Sequence, residues 1–325
     1  MSQDHELQRA KELLLAGDII GLPTETVYGL AASIRNENGL KRIFSIKERP
    51  FFDPLIVHIC DLEQKGQVIR EWPLLADVLA KKFWPGPLTM VLPKHPQLNP
   101  LITAGLDTVG LRLPNHEVAR AIIRLTGIPL AAPSANKFGK TSPTKAEHVL
   151  KAFPKENIYV LDGGQSDVGL ESTVITFAIV PNEVPVVSIL RPGAITADML
   201  DAALKESGIT ARLERKTSNE SPGHTEHHYM PSIPLLIIEQ EQTQMKRSTW
   251  DQICADFELP PSSRGAELRL DPNPRLAARA LYIRMRECVE NGAAFIYVLK
   301  RKEQTDGMWD AIWDRLQRAA SRVYT

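Results

Sequence analysis

Cysteine is scarce in this chain: three residues in 325, at Cys60, Cys254 and Cys288. None sits in a CxxC pair, which argues against a zinc knuckle and a disulfide framework. An excess of charge of one sign is also missing. Lys plus Arg and Asp plus Glu both number 39, so the formal net charge is zero. A protein that lives on phosphate-backbone contacts is usually basic, so tight nonspecific nucleic-acid binding is not expected, although a local basic groove stays open. No aromatic-rich stacking motif is present. No apolar run is long enough to span a bilayer. The first residues, Met1-Ser-Gln-Asp-His-Glu6, are polar and acidic, unlike a signal peptide. A reducing, cytoplasmic setting with no membrane partner is the expectation.

What is present is a chain long enough for a large core and two domains. Leu7, Ala10, Leu13 and Leu14 form a helical stripe. Strands are expected at 18–22, 55–59, 88–92, 129–132, 157–161, 173–177 and 184–190, with a strand-like run at 109–114. Helices are expected at 40–46, 73–83, 116–125 and 196–205. Helix and strand alternate without strict βαβ spacing, which predicts an α/β domain with a twisted mixed sheet. From Glu206 to Pro234 the chain turns polar, with Pro222, Gly223, Pro231 and Pro234, and reads as a linker. A second α/β pattern follows: a strand at 235–239, a helix at 274–291, a strand at 293–299 and a helix at 308–322. The expected domains are thus 1–206, a linker at 207–234, and a small domain at 235–325.

Two short runs carry the most chemistry. Lys47-Glu-Arg49 precedes the apolar run Phe51–Ile59, and Pro133-Ser-Ala-Asn136 follows the apolar run Ile128–Ala132. Polar groups at the ends of buried strands are where α/β proteins place ligands. Two cations and a Ser/Asn pair suit a phosphorylated ligand, with Arg giving a planar fork. The plain alternatives are a solvated helix end for Lys47 and Arg49 and a turn for Ser134 and Asn136. Ser142-Pro-Thr144 reads as an N-cap with Pro in the first helical turn, a start that also suits phosphate. Gly139-Lys-Thr141 invites a P-loop reading, but the first glycine of that motif would fall at Ser134, and Pro143 interrupts the required helix. Gly164 to Gly169 has the glycine spacing but continues into Leu170-Glu171 and fails too. Arg112, inside an apolar run, needs an anion, either a structural carboxylate or a ligand's. Arg191 ends a strand in a similar position, and Ser172 just precedes one. His224, His227 and His228 cluster in the linker without matching a metal motif.

These blocks together resemble the YrdC-like family in its long, two-domain form. The matching text is Pro23-Thr-Glu-Thr-Val-Tyr-Gly-Leu30, Lys47-x-Arg49-Pro50, Pro54-Leu-Ile-Val-His58, Phe83-Trp-Pro-Gly-Pro-Leu-Thr89 and Gly105-Leu-Asp-Thr-Val109. It continues with Ala132-Pro-Ser-Ala-Asn136, Ser142-Pro-Thr144, Glu171-Ser-Thr173 and Leu190-Arg-Pro-Gly193. The linker keeps Ser221-Pro-Gly223, His228-Tyr229 and Pro231. Leu276–Tyr282 and Asp314–Ala320 resemble the second domain. So many ordered blocks are far more specific than one short motif.

The resemblance implies a YrdC-like domain with a concave, positively charged site and a small Rossmann-like second domain. It implies a nucleotidyl transfer in which L-threonine, bicarbonate or CO2, and ATP with Mg2+ give threonylcarbamoyl-AMP and pyrophosphate. The product would pass to the tRNA threonylcarbamoyl-transferase machinery for position 37, with weak or no direct tRNA binding here. By the same resemblance Arg49, Asp53, Thr108, Ser134, Ser142, Arg191 and Tyr229 would hold ATP. Lys47, Arg49, Ser134 and Asn136 would serve the reacting phosphates. Thr26, His58, Arg112 and Ser172 would hold threonine.

Two positions depart from the family. Asp53 stands where Asn is usual, so it either recruits magnesium or weakens ATP binding unless Arg49 intervenes. The linker run His224-Thr-Glu-His227 lacks cations found in some relatives, and these His residues would substitute only when protonated. The competing readings are a carbamoyl-transfer module of the hydrogenase-maturation kind, whose acylphosphatase and zinc-finger-like segments are not visible, and an RNA-binding or regulatory paralogue without synthase activity.

Overall fold

The computed structural model describes residues 3–218, 220, 228–239, 245–305 and 307–324. The chain divides into two compact units: Met1–Phe138 with Ser142–His224, and Gly139–Thr141 with Thr225–Thr325.

Among the described residues the first unit carries ten strands: β1 (Ile20–Leu22), β2 (Gly29–Ser33), β3 (Ile56–His58), β4 (Leu88–Pro93), β5 (Thr108–Arg112), β6 (Leu130–Ala131), β7 (Tyr159–Val160), β8 (Thr173–Ala178), β9 (Val186–Arg191) and β10 (Arg212–Arg215). They form one sheet in the order β10-β9-β8-β4-β5-β3-β6-β2-β1-β7. Its neighbours are both parallel, as in β3–β5, and antiparallel, as in β4–β5. Its helices are α1 (Gln3–Leu15), α2 (Glu37–Lys47), α3 (Leu74–Phe83), the short α4 (Pro100–Thr103), α5 (Glu117–Thr126), α6 (Ala146–Ala152) and α7 (Ala197–Glu206). The expected mixed α/β sheet is therefore present.

The period-two alternation of strands sorts the sheet's residues. Val57, Leu88, Met90, Val109 and Leu111 join a large core with Leu40, Ile43 and Phe44 of α2, Leu75 and Leu79 of α3, and Leu200 and Leu204 of α7. Their strand neighbours His58, Thr89 and Arg112 consequently face the opposite side of the sheet. A second core packs Ala10 and Leu14 of α1 and Ala119, Ile122 and Ile123 of α5 on Ile20, Leu22 and Leu130. Each fully buried aliphatic side chain contributes about 1.5–3 kcal/mol.

Several elements differ from the sequence expectation. β2 lies in a stretch for which no element was expected. β10 lies inside the expected linker and pairs in parallel with β9. Its sequence, Arg212-Leu-Glu-Arg215, has one apolar residue, because an edge strand needs little burial and is protected by its charges. Ser142 is not a helix cap. Helix α6 begins at Ala146 with Lys145 in the cap position and no side-chain cap bond. The Pro143 carbonyl instead accepts from the Tyr28 amide at 2.8 Å, and the Ser142 hydroxyl donates to Glu171 at 2.6 Å. Both residues are committed to tertiary contacts before the chain starts to coil.

The second unit contains β11 (Leu235–Ile238), α8 (Arg247–Asp256), β12 (Gly265–Glu267), α9 (Pro274–Glu290), β13 (Phe295–Leu299), α10 (Met308–Ala319) and β14 (Arg322–Tyr324). The strands are all parallel, in the order β12-β13-β11-β14. Strands alternating with helices are the pattern of a small doubly wound unit. β11 reads Leu-Leu-Ile-Ile and is buried throughout, as a strand covered on both faces requires. The helix expected to reach Arg322 stops at Ala319. The Ser321 amide donates to the Leu235 carbonyl at 2.7 Å, and sheet pairing takes over the chain from there. α8, β12 and β14 were not legible from periodicity.

Candidate active site

Helix α2 ends by a mechanism that aims two cations. Glu48 adopts a left-handed conformation (φ 55°), and its amide bonds back to Ser45 while that of Arg49 bonds to Phe44. This closes the helix and reverses the chain. Lys47, on the last helical turn, is fully buried, and its Nζ donates to the carbonyl of Ser134 at 2.5 Å and to that of Asn136. Burial, then the neighbouring charge of Arg49, holds its pKa well below the usual lysine value. Arg49 turns into the following loop. Its Nε donates to the Asp53 carbonyl at 3.1 Å and its Nη2 to the Pro54 carbonyl at 2.8 Å. Its Nη2 also lies 2.9 Å from the Asp53 carboxylate. The expected clash between Asp53 and bound phosphates therefore meets an internal counter-charge, as one of the sequence alternatives allowed.

The Pro133–Asn136 run extends beyond β6 along β2. The Leu30 amide donates to the Pro133 carbonyl, and the Ala135 amide to the Tyr28 carbonyl, each at 2.8 Å. Gly29 and Ser134 form a bridge. Lys47, Ser134 and Asn136 are thus brought together, although 87 and 89 positions separate the lysine from its two acceptors.

On the side of the sheet away from the main core, His58 and Arg112 are register partners of β3 and β5. Arg112 Nη1 donates to the Thr26 hydroxyl at 2.9 Å, and Nη2 lies 2.8 Å from the Glu25 carboxylate. The Thr26 hydroxyl also bonds the Thr24 hydroxyl at 2.9 Å. His58 is buried, its Nδ1 has no hydrogen-bond partner, and its pKa is pushed down to about 3 by burial and by the charge of Arg112. It is a neutral imidazole at ordinary pH. Of the four residues expected to hold threonine, three therefore share one patch.

The fourth, Ser172, bonds Thr89 at 2.7 Å and accepts from Arg191: Nη2 reaches its hydroxyl at 3.2 Å and its carbonyl at 3.0 Å. Ser172 and Arg191, expected in different ligand sets, are direct partners. Gly193 permits this packing. A Cβ there would stand 2.4 Å from the Thr173 amide nitrogen and 2.8 Å from the Ser172 carbonyl carbon. Thr108 donates to Glu220 at 2.8 Å.

Tyr229 belongs to the second unit. Its ring lies against His228 and Tyr282, with centroids 4.4 and 6.0 Å away, and Arg315 stands over it at 5.2 Å. Gly139–Thr141, the near-miss P-loop, also belongs to that unit and pairs with the chain beside Tyr229. The Met230 amide donates to the Gly139 carbonyl at 2.8 Å, and the Thr141 amide to the Met230 carbonyl at 3.1 Å. His224 and His227 lie outside the described residues.

Sequence reasoning did not assign roles to Glu25, Thr89, Glu171 or Glu220. Glu25 and Glu171 stood inside the quoted blocks, but each has hydroxyl residues beside it, so no local pattern marked them as buried charges. Among the described residues no group of three or more His, Cys, Asp or Glu side chains could hold a metal ion. Asp53, the proposed metal contact, is fully buried and faces Arg49. The described residues do not form a protein cage for magnesium.

Residues 12–193 match the Sua5/YciO/YrdC family profile, described as telomere recombination. Residues 195–321 match the Sua5 C-terminal profile, described as threonylcarbamoyl-AMP synthase, C-terminal domain. The chain is 42% identical over 240 residues to the threonylcarbamoyl-AMP synthase of Bacillus subtilis (strain 168), covering 73% of this chain and 68% of the relative. It is 40% identical over 257 residues to that of Pyrococcus abyssi (strain GE5 / Orsay), covering 78% and 74%. The crystal structure of P. abyssi Sua5 complexed with L-threonine superposes with a TM-score of 0.85 at 33% identity, over 100% of this chain and 97% of that one.

Proposed function

The chain belongs to the Sua5/YciO/YrdC family, and on that premise we infer that it is a threonylcarbamoyl-AMP synthase. It is a nucleotidyltransferase that converts L-threonine, bicarbonate or CO2, and ATP into threonylcarbamoyl-AMP and pyrophosphate, for threonylcarbamoyladenosine formation at tRNA position 37. The observation that carries this reading is the extent of the likeness: both units match profiles of the same enzyme family, and one superposition spans the whole chain.

The reaction needs two bond-forming steps. The threonine amine attacks the carbon of CO2 and gives a carbamate, losing a proton; from bicarbonate, the amine gives the same carbamate with release of water and no net proton. A carbamate oxygen then attacks the α-phosphorus, and pyrophosphate leaves. Among the described residues no nucleophile is arranged for covalent catalysis, so positioning and charge neutralisation carry the rate. Arg112, with Thr26, would bind the threonine carboxylate. Neutral His58 and the Ser172 hydroxyl would complete that pocket. Lys47, Arg49, Ser134, Asn136, Ser142 and Arg191 would hold ATP and the developing charge of the leaving pyrophosphate, with Thr108 and Tyr229 in the same set and Asp53 tempering the charge of Arg49. The contact between Arg191 and Ser172 supports adjoining ATP and threonine sites, which the second step requires.

Enzymes that use ATP take it with a divalent cation, commonly held by the phosphates, waters and one or two carboxylates. Asp53 is committed to Arg49, so the cation would come with the phosphates of ATP. No helix among the described residues is long and apolar enough to cross a membrane; within this proposal a cytoplasmic location follows from the service of tRNA.

The test is incubation with ATP, magnesium, bicarbonate and labelled L-threonine, with chromatography for threonylcarbamoyl-AMP and pyrophosphate. Formation of both, dependent on each substrate, is expected. ATP binding without product would overturn the synthase reading in favour of a regulatory paralogue.

A further inference from the structure

The loop between Asn136 and Ser142 has an unusual membership. Its flanks belong to the first unit, and its middle, Gly139–Thr141, belongs to the second. Within the second unit that middle is held at three points. Lys140 bridges Met230 in parallel, flanked by the two backbone hydrogen bonds described above. The Thr141 hydroxyl donates to the Tyr229 carbonyl at 3.2 Å. Arg286, on α9, donates from Nη2 to the Thr141 carbonyl at 2.6 Å.

Arg286 is an expensive way to hold one carbonyl. Its Nε is buried and has no hydrogen-bond partner. Its guanidinium is partly desolvated and gives its hydrogen bond to a neutral carbonyl, with the charge of Glu290 as a favourable neighbour; such a group is a modest stabiliser, and an apolar side chain of similar volume often serves the fold as well. What Arg286 does supply is a directed, charge-assisted hydrogen bond to the carbonyl of the peptide unit that Thr141 shares with Ser142. Fixing that carbonyl fixes the plane of the peptide, and with it the backbone of Ser142. On the reading given above, Ser142 holds ATP.

We propose that Arg286 is a positioning residue for the ATP site, and that the second unit serves the reaction by clamping Gly139–Thr141 between two nucleotide-binding residues, Asn136 and Ser142. The inference rests on the assignment of Ser142 to ATP. It gives the second unit a task in the first unit's chemistry that acts through the covalent chain.

The experiment uses the full chain with Arg286→Met, Arg286→Lys and Ser142→Ala. ATP and L-threonine dissociation constants are measured separately by calorimetry, together with the thermal midpoint. Arg286→Met is expected to weaken ATP binding roughly tenfold, the loss of one charge-assisted hydrogen bond. It should leave threonine affinity within about twofold and the thermal midpoint unchanged or raised. Arg286→Lys, which keeps a donor and the charge, should restore much of the ATP affinity. A merely structural role predicts a lowered midpoint and equal losses for both ligands, and that outcome overturns the proposal. Unchanged ATP affinity in Arg286→Met, beside a clear loss in Ser142→Ala, also overturns it. No effect of Ser142→Ala on ATP would overturn the site assignment instead. If Arg286→Met does not fold, ATP affinity in Arg286→Gln, which loses the charge, decides: a loss confined to ATP supports the clamp, and an unaltered or uniformly lowered affinity rejects it.

Discussion

Arg49 and Asp53 face each other at 2.9 Å with their side chains only 3% and 0% exposed. The contact is ionic rather than a well-aligned hydrogen bond, since neither Asp53 oxygen meets hydrogen-bond geometry. The carboxylate that departs from the family pattern is therefore neutralised by the cation expected to meet the phosphates. It draws on the same positive charge that ATP would use.

Asp53→Asn is expected to separate stability from binding. Losing a buried ion pair while keeping an amide acceptor should lower unfolding free energy by about 2 kcal/mol. ATP should bind roughly fivefold more tightly, because the charge of Arg49 is no longer shared. Denaturant unfolding and ATP titration read the two effects. Weaker ATP binding would instead mean that Asp53 itself helps hold the nucleotide.

Arg112 and Glu25 form a second buried pair, and here the single and double variants should differ in kind. Arg112→Met strands the Glu25 carboxylate and should cost about 3–5 kcal/mol of stability. Adding Glu25→Gln should recover most of that loss. Threonine affinity should stay lost in both variants, since the cation for its carboxylate is gone. A double variant that binds threonine normally would remove Arg112 from the site.

The pH dependence of stability follows from His58. Its folded pKa is lowered from 6.5 to about 3, so between those values the unfolded chain takes up a proton that the native state refuses. The stability is fully present above about 6.5 and is lost as pH falls toward 3, at up to about 1.4 kcal/mol per pH unit. His58→Gln should flatten that part of the curve in pH-dependent urea unfolding. Because His58 is neutral throughout, threonine affinity in the wild-type protein should show no His58-linked step between pH 6 and 8. A step abolished by His58→Gln would contradict this.

Gly193→Ala should fail for a backbone reason. Its Cβ would meet the Thr173 nitrogen and Ser172 carbonyl carbon well inside contact distance, and backbone atoms cannot rotate away. A loss of roughly 2–4 kcal/mol is expected from such overpacking. The Arg191–Ser172 contact should be disturbed too, so the residual folded protein should bind both ATP and threonine more weakly. Thermal unfolding with both titrations checks this, and wild-type affinities would show that the turn has room to move.

The sequence by itself determined the class of the fold and named the candidate site residues. Lys47-x-Arg49, Pro133-Ser-Ala-Asn136 and Arg112 announced themselves because charged or polar groups beside apolar runs are costly unless used. That His58, Thr89 and Arg112 face away from the main core emerges only in the structure, because β3, β4 and β5 are near-continuous apolar runs. Local pattern allowed Arg49 as the answer to Asp53, but it could not disclose which distant carbonyls receive Lys47, or that Ser172 meets Arg191. Nor could it show that Ser142 bonds Glu171 instead of capping a helix, or that β10 completes the sheet with only one apolar residue. Those pairings join residues up to 89 positions apart, and they exist only once the sheet has brought its strand ends together. Periodicity reports what a segment buries; the partner each buried charge finds is decided by the tertiary fold, because only there is water removed from both at once.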